Sequence, residues 1–414
     1  MPKTILIKNI KTLAGIDEEN LLLKKGKQMS EFKSIDDACV LIEDGIIKEF
    51  GHHSTFNIQL STIETIDAKG GFVLPSFVDS HTHLVFAKTR EEEFVMRING
   101  KSYEEIADAG GGILNSAKKL QSMSENELFD STLIRLHEVI KFGTGAIEIK
   151  SGYGLTVKDE LKMLRVIARL KEASPIVIKA TFLGAHAFPT EFKNNHEGYI
   201  KLILNEMLPN IAAEKLADYC DVFCDKGFFN PTETDVILNA AAKFGLKAKI
   251  HANELGYTGG VQVGVKNKAL SVDHLEYVGD EEINCLKNSG TMPVALPNCS
   301  FFLGIPYAPV RKMIDAGLPV CLASDYNPGS SPNGRMSFII SLACTQMKLR
   351  PEEALNASTI NGAYALELSK SHGSITIGKQ ANFFITKPIS SLALIPYSFG
   401  VDFVDRVFIN GNEI

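Results

Sequence analysis

Phe77-Val-Asp-Ser-His-Thr-His83 is a short apolar run that ends in residues able to bind a cation. Seven further runs have the same strand character. They are Ala146-Ile-Glu-Ile149, Ile176-Val-Ile178 on to Phe182, Asp221-Val-Phe-Cys224 and Leu246-Lys-Ala-Lys-Ile250. Ala269-Leu-Ser-Val272, Met292-Pro-Val-Ala-Leu296 and Leu318-Pro-Val-Cys-Leu322 complete the set. Helical patterns separate most of them. Ser124-Glu-Asn-Glu127 has the form of a capping box ahead of a periodic segment ending near Phe142-Gly143. Thr232 to Gly245 and Pro309 to Gly317 are shorter helical patterns closed by glycine. Eight strands with intervening helices predict an α/β fold, a (β/α)8 TIM-like barrel over residues 75–369. An open doubly wound sheet is the structural alternative.

Outward from the barrel, both chain ends are β-rich. Val40-Leu-Ile-Glu-Asp44-Gly45-Ile-Ile-Lys-Glu-Phe50 is a pair of apolar runs about an Asp-Gly turn, a strong hairpin signal. Gly373-Ser-Ile-Thr-Ile377, Ala381-Asn-Phe-Phe-Ile385 and Val404-Asp-Arg-Val-Phe-Ile409 read as strands near the other end. A single barrel needs about 250 residues and so leaves well over 100 of the 414 unassigned. Residues 1–74 and 370–414 are therefore predicted to pair into one small, discontinuous β-sandwich domain.

Composition narrows the function. Hydrophobic residues are 45% and charged residues 22% of the chain, ordinary for a core-forming protein and unlike a disordered one. The net charge of −6 supplies no basic stripe for nucleic acid and no polybasic membrane patch. No run approaches the ~20 apolar residues of a membrane span, and the start lacks a signal peptide's apolar segment. Seven scattered cysteines do not resemble a disulfide framework, and Cys220 and Cys224 read as buried strand residues. The expected compartment is the cytoplasm.

In such a barrel functional groups gather at the C-terminal ends of the strands. Five of the ten histidines stand there, namely His81, His83, His186, His251 and His274. Roughly 30 strand-end positions would collect about one by chance. His81 and His83 alternate, so both imidazoles face one side of an extended segment. Adding His251 and Asp325 gives three nitrogens and one oxygen, a donor set for zinc or iron (Fe2+ or Fe3+). Such an ion would lower the pKa of bound water. Glu254 and His274 are not needed for that set and are free for proton transfer; Asp325 can both bind the ion and pass a proton. As ordinary structure, His274 would only orient a ligand and Glu254 would be a loop carboxylate.

These residues, together with the β-rich ends, resemble the amidohydrolase superfamily of metal-dependent hydrolases, and within it the imidazolonepropionase family. The segments that carry the resemblance include His81-Thr-His-Leu-Val-Phe-Ala-Lys-Thr-Arg-Glu-Glu-Glu-Phe94, Ala109-Gly-Gly-Gly-Ile113, Glu148-Ile-Lys-Ser-Gly-Tyr-Gly154 and Thr181-Phe-Leu-Gly-Ala-His186. Ile250-His-Ala-Asn-Glu-Leu255, Ser271-Val-Asp-His-Leu-Glu-Tyr277 and Ala323-Ser-Asp-Tyr-Asn-Pro-Gly-Ser-Ser-Pro332 extend it through the barrel. The resemblance implies one divalent metal held by His81, His83, His251 and Asp325. It implies substrate contacts from Arg90, Tyr153, His186, Glu254, Asn327, Gly329 and Ser330. Glu254, His274 and Asp325 would be catalytic. The implied reaction is hydrolysis of the cyclic amide of 4-imidazolone-5-propanoate to N-formimino-L-glutamate, by a homodimer.

Each implied contact has chemical sense. Arg90 offers a planar fork to a carboxylate, although in Thr89-Arg-Glu-Glu-Glu93 it also reads as one more exposed charge. Tyr153 and His186 can donate to a small polar ring, and the Asn327-Pro-Gly-Ser330 turn carries donors for an anion. Leu296-Pro-Asn-Cys-Ser300 departs from the family's usual Leu-Pro-Gly-Thr-Ser, so Asn298 and Cys299 inherit no role. Lys150 ends a strand, where some superfamily members bridge two metals with a carboxylated lysine. Two rival readings are a nucleobase deaminase, which uses similar residues, and an inactive barrel that only binds metal. Arg90 and the Tyr153 loop favour a substrate with a carboxylate tail.

Overall fold

The structure is a computed structural model that describes residues 3–56, 63–101, 105 and 111–414. Near the N-terminus, β1 (Thr4–Ile16) pairs antiparallel with β2 (Lys33–Glu43), which turns back into β3 (Ile46–His52). Asp44 and Gly45 make that turn with φ of +48° and +79°. Two successive left-handed residues suit the right-handed twist of the hairpin, and Asp-Gly is a pair that tolerates them. β4 (Glu64–Asp67) and β5 (Phe72–Pro75) then lie parallel to β1.

From Phe77 onward the chain builds a second sheet. Its strands are β6 (Phe77–Asp79), β7 (Thr144–Lys150), β8 (Val177–Ala185) and β9 (Tyr219–Cys224), then β10 (Lys247–Ala252), β11 (Ser271–His274), β12 (Met292–Ala295) and β13 (Cys321–Leu322). They neighbour one another in chain order and every pairing is parallel. Beyond β6 and β13 the ring is drawn together: Asp325 N donates to His81 O at 3.0 Å, and His83 N to Tyr326 O at 3.0 Å. Thus the barrel is nearly closed, and each of the eight predicted runs supplies one strand.

Alternation within these strands sorts the side chains. Ile147, Ile149, Val222, Ile250 and Val272 join a core with helix residues such as Leu164, Ile167 and Ile237. The intervening positions carry Glu148, Lys150, Asp221, Lys249, His251 and Asp273, all buried. Successive residues of a strand face opposite ways, so these polar side chains point into the barrel. The helix Glu125–Lys141 opens on the predicted capping box, with Glu127 N donating to Ser124 Oγ at 3.3 Å and Ser124 N to Glu127 Oε2 at 3.0 Å.

The far end returns to the first sheet through β14 (Phe383–Thr386), which pairs antiparallel with β5, followed by β15 (Val404–Ile409) and β16 (Asn412–Glu413). Both chain ends thereby share one continuous, mostly antiparallel sheet that wraps its own core of Ile5, Ile7, Val40, Ile42, Phe383 and Phe408. One predicted strand there is different. Gly373–Ile377 contributes only a single bridge, Ile375 to Ile16. Glycines in the left-handed region bound it, with Gly373 at φ +86° and Gly378 at +89°. The Ser374 and Thr376 hydroxyls bond each other, and Thr376 donates to Asp17 O, in place of a ladder. No described helix is long and apolar enough to cross a membrane.

Candidate active site

His81 and His83 follow β6, His251 lies in β10 and Asp325 follows β13, so the closing of the barrel brings them together. His83 Nε2 and His251 Nε2 are 3.3 Å apart. Asp325 Oδ1 lies 3.6 Å from His81 Nε2 and 3.5 Å from His83 Nε2. All four side chains are buried. His81 Nε2 is buried without a hydrogen-bond partner, which is costly for a lone pair unless something electropositive meets it. Asp325 holds a left-handed φ of +55°, a strained conformation kept where the surroundings demand it. The donor atoms of His81, His83 and His251 all lie within 4.8 Å of one another, as do those of His81, His274 and Asp325. Three imidazole nitrogens and a carboxylate oxygen converging on one point fit a divalent metal ion.

Behind these four lies a layer of buried charge. His81 Nδ1 meets Asp273 Oδ2 at 2.6 Å, and His251 Nδ1 stands 2.9 Å from Asp221 Oδ2. Each carboxylate favours a proton on Nδ1 and turns the Nε2 lone pair inward. Lys150 Nζ sits 2.6 Å from Glu148 Oε1 and 2.8 Å from Asp221 Oδ2. Burial would lower the Lys150 ammonium, but Asp221, Glu148 and Asp273 raise it well above its ordinary value. Lys150 is therefore a cation held by carboxylates. Asp221 was not singled out from the sequence, where it is one charge beside an apolar run. Its signal is parity, because the period-two alternation that points His251 inward from β10 also points Asp221 inward from β9.

Glu254 and His274 form a second pair beside the four. Glu254 Oε2 is 3.6 Å from His274 Nε2, and His274 Nδ1 is 3.7 Å from Glu276 Oε1. Burial raises the Glu254 carboxyl to about 7, opposed by His274. Burial raises the Asp325 carboxyl to about 7 as well, again opposed by His274. For His274, burial works downward, but Glu254 and Glu276 outweigh it and hold the imidazole well above its ordinary value. His274 also has a left-handed φ of +83°. A cationic imidazole beside a carboxyl group near neutrality is an acid–base arrangement.

The remaining predicted residues border the same mouth. His186 stacks on His83 at 5.2 Å between ring centroids, and Tyr153 lies 5.9 Å from His83 and 5.4 Å from His186. His186 Nδ1 is 3.0 Å from Gly152 O, and burial lowers its pKa to about 3, so it is neutral. Burial holds the Tyr153 phenol far above its usual range, so it stays protonated and able to donate. Arg90 Nε donates to Ser116 Oγ at 2.9 Å, and its guanidinium lies so close to Gly329 that a Cβ there would stand 2.5 Å from Cζ. It is only 12% exposed at the side chain and packs into the mouth, not into solvent.

The turn at residues 327–330 is bonded to itself and to Asp325. Gly329 N and Ser330 N both donate to Asn327 Oδ1 at 2.8 Å, so the backbone donors are already engaged. Asn327 Nδ2 in turn donates to Asp325 Oδ2 at 2.8 Å. The turn thus holds Asp325 in place. Ala109 and Gly110, part of one quoted segment, lie outside the described residues.

Residues 72–414 match the amidohydrolase family. An imidazolonepropionase from Christiangramia forsetii is 55% identical over 411 residues, covering 99% of this chain and 100% of the relative. One from Flavobacterium johnsoniae is 56% identical over 409 residues, covering 99% of each. Among solved structures, a guanine deaminase from E. coli superposes with a TM-score of 0.76 at 15% identity, covering 100% of this chain and 99% of that one. That identity shows a shared fold and nothing finer.

Proposed function

The chain belongs to the amidohydrolase family and, within it, to the imidazolonepropionases, and we propose that it opens 4-imidazolone-5-propanoate to N-formimino-L-glutamate with the residues at the barrel mouth dividing the work. His81, His83, His251 and Asp325 would hold one divalent ion, which when bound acidifies water and polarises a ring carbonyl. Three nitrogens and an oxygen suit zinc and iron alike, and metal analysis of the purified protein distinguishes them.

The protein's own groups carry the protons. Glu254, the carboxylate not required by the cradle, takes a proton from the attacking water and returns it to the departing ring nitrogen. One water is consumed and the C–N bond of the cyclic amide breaks; the acid formed on the former carbonyl carbon ionises to a carboxylate, and its proton ends on the basic formimino group of the product. His274 donates toward the carbonyl oxygen as negative charge develops there. Arg90, with Tyr153 beside it, receives the propanoate tail as a fork meets a carboxylate. His186 completes the wall with Asn327, Gly329 and Ser330, which keep Asp325 and Arg90 in register.

The observation that carries this reading is the pairing of Glu254 with His274 beside a four-donor cradle, with Arg90 and Tyr153 across the mouth. Seven unpaired cysteines suit a reducing, cytoplasmic setting, and a homodimer is the expected assembly. The test is turnover of 4-imidazolone-5-propanoate by the metal-loaded protein, with the formimino product measured directly. Ammonia release from guanine or cytosine without any formimino product would identify a deaminase instead.

A further inference from the structure

Cys299 stands where the resembled family usually has threonine, and its side chain faces the proposed proton-transfer pair. It lies in the first turn of the helix Pro297–Leu303, directly after β12. Its Sγ is 3.7 Å from Glu254 Oε1, while Glu254 Oε2 is 3.6 Å from His274 Nε2. Sulfur, oxygen and nitrogen donors from the three residues all lie within 4.8 Å of one another. Cys299 is wholly buried, His274 is 3% exposed and Glu254 is 9% exposed.

These spacings have a chemical meaning. Bonds of about 2.0–2.3 Å from a tetrahedral ion place neighbouring donors about 3.3–3.8 Å apart. The thiol and the imidazole each stand about that far from the Glu254 carboxylate, on its two different oxygens, so the carboxylate lies between a sulfur and a nitrogen donor. His274 Nδ1 is buried without a hydrogen bond and faces Glu276, so a carboxylate stands ready behind the ring. That is the arrangement that turns an imidazole's other nitrogen toward a metal. A thiolate in the set selects a soft cation over magnesium or calcium.

We propose that Cys299, Glu254 and His274 form a second cation site, separate from the four-residue cradle, that takes a soft divalent ion such as cadmium or excess zinc and thereby stops turnover. On binding, the Cys299 S–H and His274 Nε2–H bonds break, both protons pass to solvent, and sulfur–metal and nitrogen–metal bonds form beside the Glu254 carboxylate; nothing is oxidised or reduced. Glu254 can then accept no proton and His274 can donate none. The inhibitory half rests on the catalytic reading of that pair, whereas the binding half stands on geometry alone.

The experiment titrates the metal-loaded enzyme with cadmium chloride. Ultraviolet cadmium–thiolate absorption, bound cadmium per chain, retention of the original metal and turnover are followed together. One additional cadmium per chain is expected, with the thiolate band rising as turnover falls. In Cys299→Thr and Cys299→Ala, checked for folding by thermal midpoint, the band from this site disappears. Inhibition in both should need at least about tenfold more cadmium, the loss that weakening even an outer-shell partner causes. The six other cysteines are unchanged, so the difference belongs to Cys299. Variants that titrate like the parent protein would overturn the site. A band that saturates while turnover persists would overturn the inhibition and, separately, the proton role of Glu254.

Discussion

Asp273 accepts a hydrogen bond from His81 Nδ1 at 2.6 Å, with both side chains wholly buried and 192 residues apart in the chain. The contact fixes the imidazole tautomer, so that Nε2 faces the cradle. Asp273→Asn keeps the shape but can present an N–H to His81 and favour the wrong tautomer. Metal affinity should fall about 10–100-fold, as for outer-shell partners generally. Metal content after dialysis against a graded chelator reads this directly. An unchanged affinity would remove Asp273 from the account of the site.

Lys150 is the counter-charge of the layer behind the ligands, within 2.8 Å of both Glu148 and Asp221. Lys150→Met would leave Asp221 with no lysine partner and Glu148 with only the more distant Lys249, 3.9 Å away. Breaking a buried pair from one side costs about 3–5 kcal/mol. The variant should unfold at a markedly lower urea midpoint, or fail to accumulate as folded protein. A bridging carboxylated lysine would instead show up as a second metal lost with the substitution.

The barrel, and the gathering of His81, His83, His251 and Asp325 at its mouth, were legible for a local reason, and this buried layer was not. Each strand announces itself by a handful of apolar residues, and His81, His83, His251 and Asp325 stand at strand ends where barrel chemistry collects. Asp221 and Lys249 instead sit within or beside apolar runs, where a single charge carries no local message. Their meaning comes from partners on other strands, such as Lys249 Nζ reaching Ser80 O at 3.0 Å from 169 residues away. The internal bonding of the Asn327 turn was hidden for a similar reason. Its composition shows donors, but only the folded turn shows that Asn327 Oδ1 already occupies two of them.

Glu160 brackets the Tyr153 loop. Its buried carboxylate accepts from Gly154 N at 2.7 Å and Leu155 N at 2.9 Å through one oxygen, and from Gly152 N at 3.1 Å through the other. Leu155 is at φ +55° and Gly152 at +112°, so the loop is held in a shape it would not choose freely. In Glu160→Gln an amide N–H must confront at least one of those donors, at a cost of about 1–3 kcal/mol. KM should rise more than kcat falls, because the loop carries Tyr153 and not the proton-transfer groups. A fall confined to kcat would contradict this.

His372 and Lys379 make the end sheet sensitive to pH. Burial lowers His372 to about 4 and Lys379 to about 8. Lys379 Nζ donates to His372 O at 3.1 Å and Ser374 Oγ at 2.8 Å. Both groups bind protons more weakly folded than unfolded, so the unfolded state holds the extra proton between the two pKa values. Stability should therefore rise with pH from about 4 to 6.5 through His372 and again from about 8 to 10.5 through Lys379. In Lys379→Met the upper rise should flatten while the lower remains. Urea midpoints across pH for the two proteins decide it, and parallel curves above pH 8 would count against the Lys379 contribution.

Gly329 is the sharpest probe of how Arg90 is seated. A Cβ at this position would stand 2.5 Å from Arg90 Cζ and Nη1 and 2.9 Å from Nη2. These three nearest atoms all belong to the end of one flexible side chain, so Gly329→Ala should fold with little change in thermal midpoint. The guanidinium, being the end of a flexible side chain, would swing aside and lose its bond from Nε to Ser116 Oγ. Its fork would then no longer present two parallel donors to the propanoate tail. KM should rise about tenfold or more, since a charge-assisted hydrogen bond contributes about 1.5–3 kcal/mol. A substrate lacking the carboxylate should be turned over equally by both proteins. Equal KM values for the natural substrate would show that Arg90 does not need Gly329 beneath it, and would move the carboxylate's contact elsewhere in the mouth.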